Sequence, residues 1–105
     1  MQSTITARHC EVSDSLRARA VSVGERLGNL ASEAMEMTVV FDSEGIRQTV
    51  ELRLHLAGGE VLVASGQEAD HRTALDRAEE KLRRQVERAS HRTRRTRSRT
   101  ADQPL

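Results

Sequence analysis

At 105 residues the chain reads as one small domain, with enough length for a modest core. Its formal charge of +1 conceals an asymmetry: residues 1–69 hold 6 Arg against 10 acids, whereas residues 70–105 hold 10 Arg and 1 Lys against 6 acids. The basic third points to a nucleic acid or another anionic partner. The single cysteine, Cys10, excludes an internal disulfide and suits a reducing compartment.

No apolar run is long enough to span a bilayer, and no charged-then-apolar signal pattern opens the chain. A cytoplasmic protein without a membrane partner is therefore expected. Phe41 is the one aromatic residue, which argues against base stacking as a means of holding single strands. Any nucleic acid would be bound through charge and shape.

In chain order, "TITARHCEV" begins with β-branched residues and predicts a first strand over roughly 3–9, with His9 and Cys10 adjacent in it and pointing to opposite faces. Ser13 and Asp14 offer a helix cap, or a cap followed by a first-turn acid. Leu16, Ala20, Val23, Leu27 and Leu30 then follow at helical spacing. "MEMTVVF" predicts a second strand and "DSEG" a turn. "IRQTVELRLHL" alternates strictly, with Val50, Leu52, Leu54 and Leu56 on one face and Glu51, Arg53 and His55 on the other. "AGGE" predicts a hairpin turn and "VLVASG" the fourth strand.

Asp70 caps a last helix whose apolar positions are Leu75, Ala78, Leu82, Val86 and Ala89. Arg77, Lys81, Arg84, Arg88, Arg92 and Arg95 form a second stripe on it, roughly 120° around the axis at about 100° per residue. Like charges at these spacings repel. Glu79 with Arg83 and Glu80 with Arg84 relieve some of this from the flanks, but the stripe itself is expected to stay unpaired over several turns. Beyond about residue 91 the sequence is all but devoid of apolar residues, so a basic, disordered tail over 93–105 is expected, with the folded domain spanning 1–92. The order β-α-β-β-β-α makes this an α+β domain: a four-stranded sheet with two helices on one face.

Other candidate chemistry is weaker. His9 and Cys10 lack the partners of a zinc site, and His55, His71 and His91 are scattered. Cys10 reads as a small core residue. The "GG" of 58–59 is not followed by Lys-Ser/Thr, and no two carboxylates are placed around a substrate. No catalytic residue, metal, cofactor or small-molecule substrate is expected, and the chain is not read as an enzyme.

Three stretches, "ITARHCEVSDSLR", "VELRLHLAGGEVLVASG" and "DHRTALDRAEEKLRRQVER", resemble in order the signature stretches of the ribosome hibernation-promoting factor family, also called the ribosomal subunit interface or sigma-54 modulation family. The resemblance covers residues 2 to about 92. It implies a fold like that of double-stranded RNA-binding domains. It also implies binding to the small ribosomal subunit and its rRNA, in the channel for messenger RNA and tRNA, with translation silenced in stationary phase or stress. Arg8 matches the basic position of the family's first-strand motif; Lys81, Leu82, Arg84, Gln85 and Arg88 match its last-helix pattern. The expected rRNA-binding set is thus Arg8, Arg77, Lys81, Arg84, Arg88, Arg92 and Arg95.

Arg72 stands where the family usually has Tyr, and Gly24 where it usually has Leu. The first helix carries only Arg17, Arg19 and Arg26 as cations. Long-form members have a further C-terminal dimerisation domain with no counterpart in this sequence, so self-driven dimerisation of ribosomes is not expected. The free protein is expected to be a monomer, and a ribosome-dimerising helper protein is a second candidate partner. A general double-stranded RNA binder and a protein-interaction module acting through an exposed strand edge are the alternative readings.

Overall fold

The computed structural model describes the backbone of residues 1–102 and the side chains of residues 1–89. Six elements follow in the expected order: β1 (Gln2–Arg8), α1 (Asp14–Leu30), β2 (Ala34–Glu44), β3 (Arg47–Leu56), β4 (Val61–Glu68) and α2 (His71–Asp102). The strands lie side by side as β1-β2-β3-β4. β1 pairs parallel with β2, and the other two pairings are antiparallel. A parallel pair needs a crossover, and α1 supplies it.

Strand alternation decides which face is covered. Met37, Val39 and Phe41 of β2, with Val50, Leu52 and Leu54 of β3, are fully buried. They form one core with Ala20, Val23 and Leu27 of α1 and with Leu75, Ala78, Leu82 and Val86 of α2. Phe41 packs edge-on against His71, with ring centroids 5.4 Å apart. The intervening strand residues, among them Thr38, Val40, Glu51, Arg53 and Val63, line the uncovered face.

Several boundaries differ from the sequence reading. β1 ends at Arg8, so His9 and Cys10 lie in a bend, not in the strand. His9 has a φ of 56°, a left-handed backbone that redirects the chain towards α1, and Cys10 packs at the margin of the core. β2 continues through Asp42, Ser43 and Glu44, and the reversal is made by Gly45 and Ile46 alone. Gly45 has φ 63°, and a two-residue hairpin with glycine first fits a type II′ turn. Leu30, expected on the apolar face of α1, is 47% exposed; Ala31, just past the helix, is buried in its place.

The helical backbone of α2 continues to Asp102, beyond the end expected where apolar residues run out. Arg is a good helix former, and no Gly or Pro interrupts the stretch before Pro104. The side chains of the expected tail lie outside the described residues.

Candidate nucleic-acid interface

The seat of α2 is fixed at its start. Asp70 accepts hydrogen bonds from the Thr73 backbone N–H at 2.8 Å and from the Thr73 hydroxyl at 3.0 Å. These two bonds hold the Asp70 carboxyl below its ordinary pKa. One turn further, α2 crosses β4 at Gly66, where a β-carbon would fall 2.1 Å from the Ala74 carbonyl oxygen. A strand glycine here permits the close backbone approach. Ala74, Leu75, Ala78 and Leu82 are consequently without exposure.

This seating puts one flank of α2 along the outer edge of β4. Arg77 forms an ion pair with Glu68. Lys81 donates from Nζ to the Ser65 carbonyl oxygen at 3.1 Å, and Gln85 donates from Nε2 to the Val63 carbonyl oxygen at 2.7 Å. On the solvent side, Arg84 donates to Glu80 at 2.8 Å, in a pair whose side chains are both about two-thirds exposed. Arg88 is exposed and forms no ion pair or hydrogen bond among the described residues. Arg92 and Arg95 lie beyond the described side chains. The stripe is therefore not left unpaired, as its spacing suggested: Arg77, Lys81 and Arg84 all have partners. Lys81 and Gln85 are bound by backbone carbonyls, which no side-chain pattern reveals.

Arg8 is not brought to this surface. It ends β1, on the uncovered side of the sheet, with Nε 4.0 Å from Asp42. His9 hydrogen-bonds the same carboxylate at 3.0 Å. That bond, with a second from the Ser43 N–H, holds Asp42 below its ordinary pKa.

The α1 cations have a different use from the one their charge suggests. Arg19 donates to Asp76 at 2.7 Å. Arg26 makes a bidentate pair with Glu79 at 2.8 and 3.0 Å, and this bonding raises the Arg26 pKa further. Glu79 keeps the pair with Arg83 that its spacing predicts, at 3.9 Å, and is at the same time buried against α1. Arg72 lines a cleft of about 380 Å³ between the starts of the two helices, with Ser13, Ser15, Arg19 and His71.

The uncovered sheet face mixes Arg8, Arg47 and Arg53 with Glu36, Asp42, Glu44 and Glu51, whereas α2 concentrates cations on its solvent side. The charged surface thus sits on α2, outside a β-α-β-β-β-α frame. The profile of the family described as "Sigma 54 modulation protein / S30EA ribosomal protein" matches residues 3–94. The chain belongs to this family.

Among S30EA-family relatives, the chain is 33% identical over 86 residues to the ribosome hibernation promoting factor of Pseudomonas putida, covering 82% of this chain and 83% of that protein. It is 28% identical over 92 residues to the ribosome hibernation promotion factor of Rhizobium meliloti, covering 84% of this chain but only 47% of that protein. The chain thus spans about half the length of the Rhizobium relative. The crystal structure of the Thermus thermophilus Protein Y N-terminal domain superposes with a TM-score of 0.72 at 27% identity, covering 81% of this chain and 93% of that one. A ribosomal subunit interface protein from Coxiella burnetii gives the same TM-score at 18% identity, over 87% and 99% of the two chains, and supports the fold. The S30EA family is one of non-enzymatic binding proteins. No helix among the described residues is long and apolar enough to cross a membrane, and no group of three His, Cys, Asp or Glu among them is placed to hold a metal ion.

Proposed function

We propose that this chain is a ribosome hibernation factor that binds the small ribosomal subunit through rRNA, occupies the channel for messenger RNA and tRNA, and idles translation in stationary phase or stress. The observation that carries the reading is the solvent side of α2 in a domain of this family: Arg84 and Arg88 stand exposed on a helix whose opposite side, at Ala74, Leu75, Ala78, Leu82 and Val86, is packed in the core. Cations on such a helix bind phosphates by position without reading base sequence, which suits one fixed site on an abundant RNA. The exposed Arg84–Glu80 pair is no obstacle. Exposed ion pairs contribute about 0–1 kcal/mol, so exchanging Glu80 for a phosphate costs little. Arg8 belongs to this reading only as a separate contact on another surface.

The test is co-sedimentation with small subunits on a sucrose gradient, challenged in turn with duplex RNA, messenger RNA and initiator tRNA. Competition by messenger RNA and initiator tRNA, with indifference to duplex RNA, is the expected result. Displacement by duplex RNA alone would favour a general double-stranded RNA binder, the same topology serving through minor-groove and phosphate contacts. Undiminished binding beside messenger RNA and tRNA would place the protein elsewhere on the subunit. In the same gradients a free monomer in a cytoplasmic extract is expected, with ribosome pairing left to a helper protein.

A further inference from the structure

β4 is an edge strand, and an edge strand presents unpaired backbone groups that invite pairing or fraying. Leu62, Ala64 and Gly66 face the core, while Val63 and Ser65 alternate with them. The Val63 and Ser65 carbonyls are the ones taken by α2, through Gln85 and Lys81. The two periods match. Four residues of helix advance about 6 Å, and two residues of strand about 6.6 Å. Positions 81 and 85 therefore fall beside carbonyls 65 and 63 as α2 runs antiparallel to β4. Arg77, four residues before Lys81, continues the row by pairing with Glu68.

We propose that Lys81 and Gln85 are positioning residues. They seal the β4 edge and fix the rotation of α2, so that Arg84 and Arg88 face outward, and they are not themselves the phosphate contacts. This divides the basic stripe into a stitching flank, 77-81-85, and a presenting flank, 84-88. Gln85 makes the division testable, because it serves the edge while carrying no charge. The part of the test that concerns RNA rests on the function proposed above; the part that concerns the edge does not.

In the free protein, Gln85→Leu and Lys81→Met should each speed amide exchange at Leu62, Ala64 and Gly66 by about three- to tenfold, the effect of losing one net hydrogen bond. Arg84→Gln should leave those amides unchanged. Gln85→Lys, which restores a donor of similar reach, should return exchange to the parental rate. On small subunits, Arg84→Gln should flatten the log-affinity against log-salt slope by roughly 0.7–0.9, whereas Lys81→Met should weaken binding with the slope nearly kept. Parental β4 exchange in both Gln85→Leu and Lys81→Met would overturn the proposal. So would a slope loss in Lys81→Met as large as in Arg84→Gln. If no variant changes the slope while the edge responds as expected, the RNA function fails and the edge seal stands.

Discussion

Substituting alanine for Gly66 joins the fold to the proposed interface in one experiment. The added β-carbon would lie 2.1 Å from the Ala74 carbonyl oxygen, 3.0 Å from its carbon and 3.1 Å from the Ala78 nitrogen. Non-bonded heavy atoms settle nearer 3.5 Å, and all three neighbours are backbone, so no rotamer change relieves the contact. α2 must lift from β4 by ~1 Å or more. The lift loosens Ala74, Leu75, Ala78 and Leu82, all without exposure, and draws Lys81 and Gln85 away from the Ser65 and Val63 carbonyls. Overpacking costs about 1–3 kcal/mol and occasionally more; backbone on both sides puts this case near 3 kcal/mol, or about that. For a domain of this size ~1 kcal/mol shifts the melting temperature by about 4–8 °C, so a fall of roughly 12–24 °C is expected in thermal unfolding followed by circular dichroism. A fall smaller than about 3 °C would refute the close seating of α2 on β4.

The two α1 glycines should part company in the same assay. A β-carbon on Gly28 meets only the Met1 side chain, most closely its flexible end at 3.0 Å, whereas one on Gly24 falls 2.5 Å from the Ser3 hydroxyl. Gly28→Ala should therefore gain most of the ~0.5–1 kcal/mol that alanine offers inside a helix, and Gly24→Ala should gain less until Ser3→Ala is added. The Asp70 cap should show in acid. Its folded pKa is lowered, so its contribution is complete above the ordinary carboxyl value of about 3.9 and is lost as pH falls through the lowered one. Asp70→Asn keeps a capping oxygen and lacks that titration, so the melting-temperature advantage of the parent should shrink between about pH 7 and about pH 3; a constant difference would count against it. Removing residues 93–105 should leave the melting temperature unchanged while weakening RNA binding, and amides at 95–102 should exchange quickly beside slow ones in β3, because a stretch of sequence with almost no apolar residues has little to bury. Slow exchange there would contradict the expected tail.

The architecture was legible because its signals are local and periodic. Alternation at Val50, Leu52, Leu54 and Leu56 named the inner face of β3, and the spacing of Leu75, Ala78, Leu82 and Val86 named the inner face of α2. All eight are buried. Errors fell where the chain reverses. His9 adopts a left-handed backbone, which histidine takes more often than most residues but still rarely, and the polar Asp42-Ser43-Glu44 run pairs in β2 because β3 offers partners at Thr49, Gln48 and Arg47. The site was legible in its cations but not in their partners. Sequence spacing shows pairs four residues apart on one helix, such as Glu80 with Arg84. It cannot show Arg26 on Glu79, 53 positions away, or a lysine bound to a strand carbonyl.

Those hidden partners change what the charge count means. By sequence, α1 offers Arg17, Arg19 and Arg26 to an RNA. By structure, Arg26 is held by a carboxylate whose side chain is only 11% exposed, and breaking a pair with a buried member leaves a desolvated charge behind. Arg19 is bound to Asp76 with both partners partly exposed, an intermediate case. Arg17 is then the one α1 cation that is exposed and without an ion pair among the described residues. The distinction follows from solvent, not from distance. Arg84–Glu80 and Arg26–Glu79 have the same 2.8 Å separation, yet the first is open to water and readily exchanged for a phosphate, and the second locks α1 to α2. The outer side of α2 holds cations that the fold can release cheaply: Arg84 in its exposed pair, and Arg88 already free of any partner among the described residues. An RNA approaching that side gains charge contacts without loosening the core, and one approaching α1 would have to unmake the clamp between the two helices to gain as much.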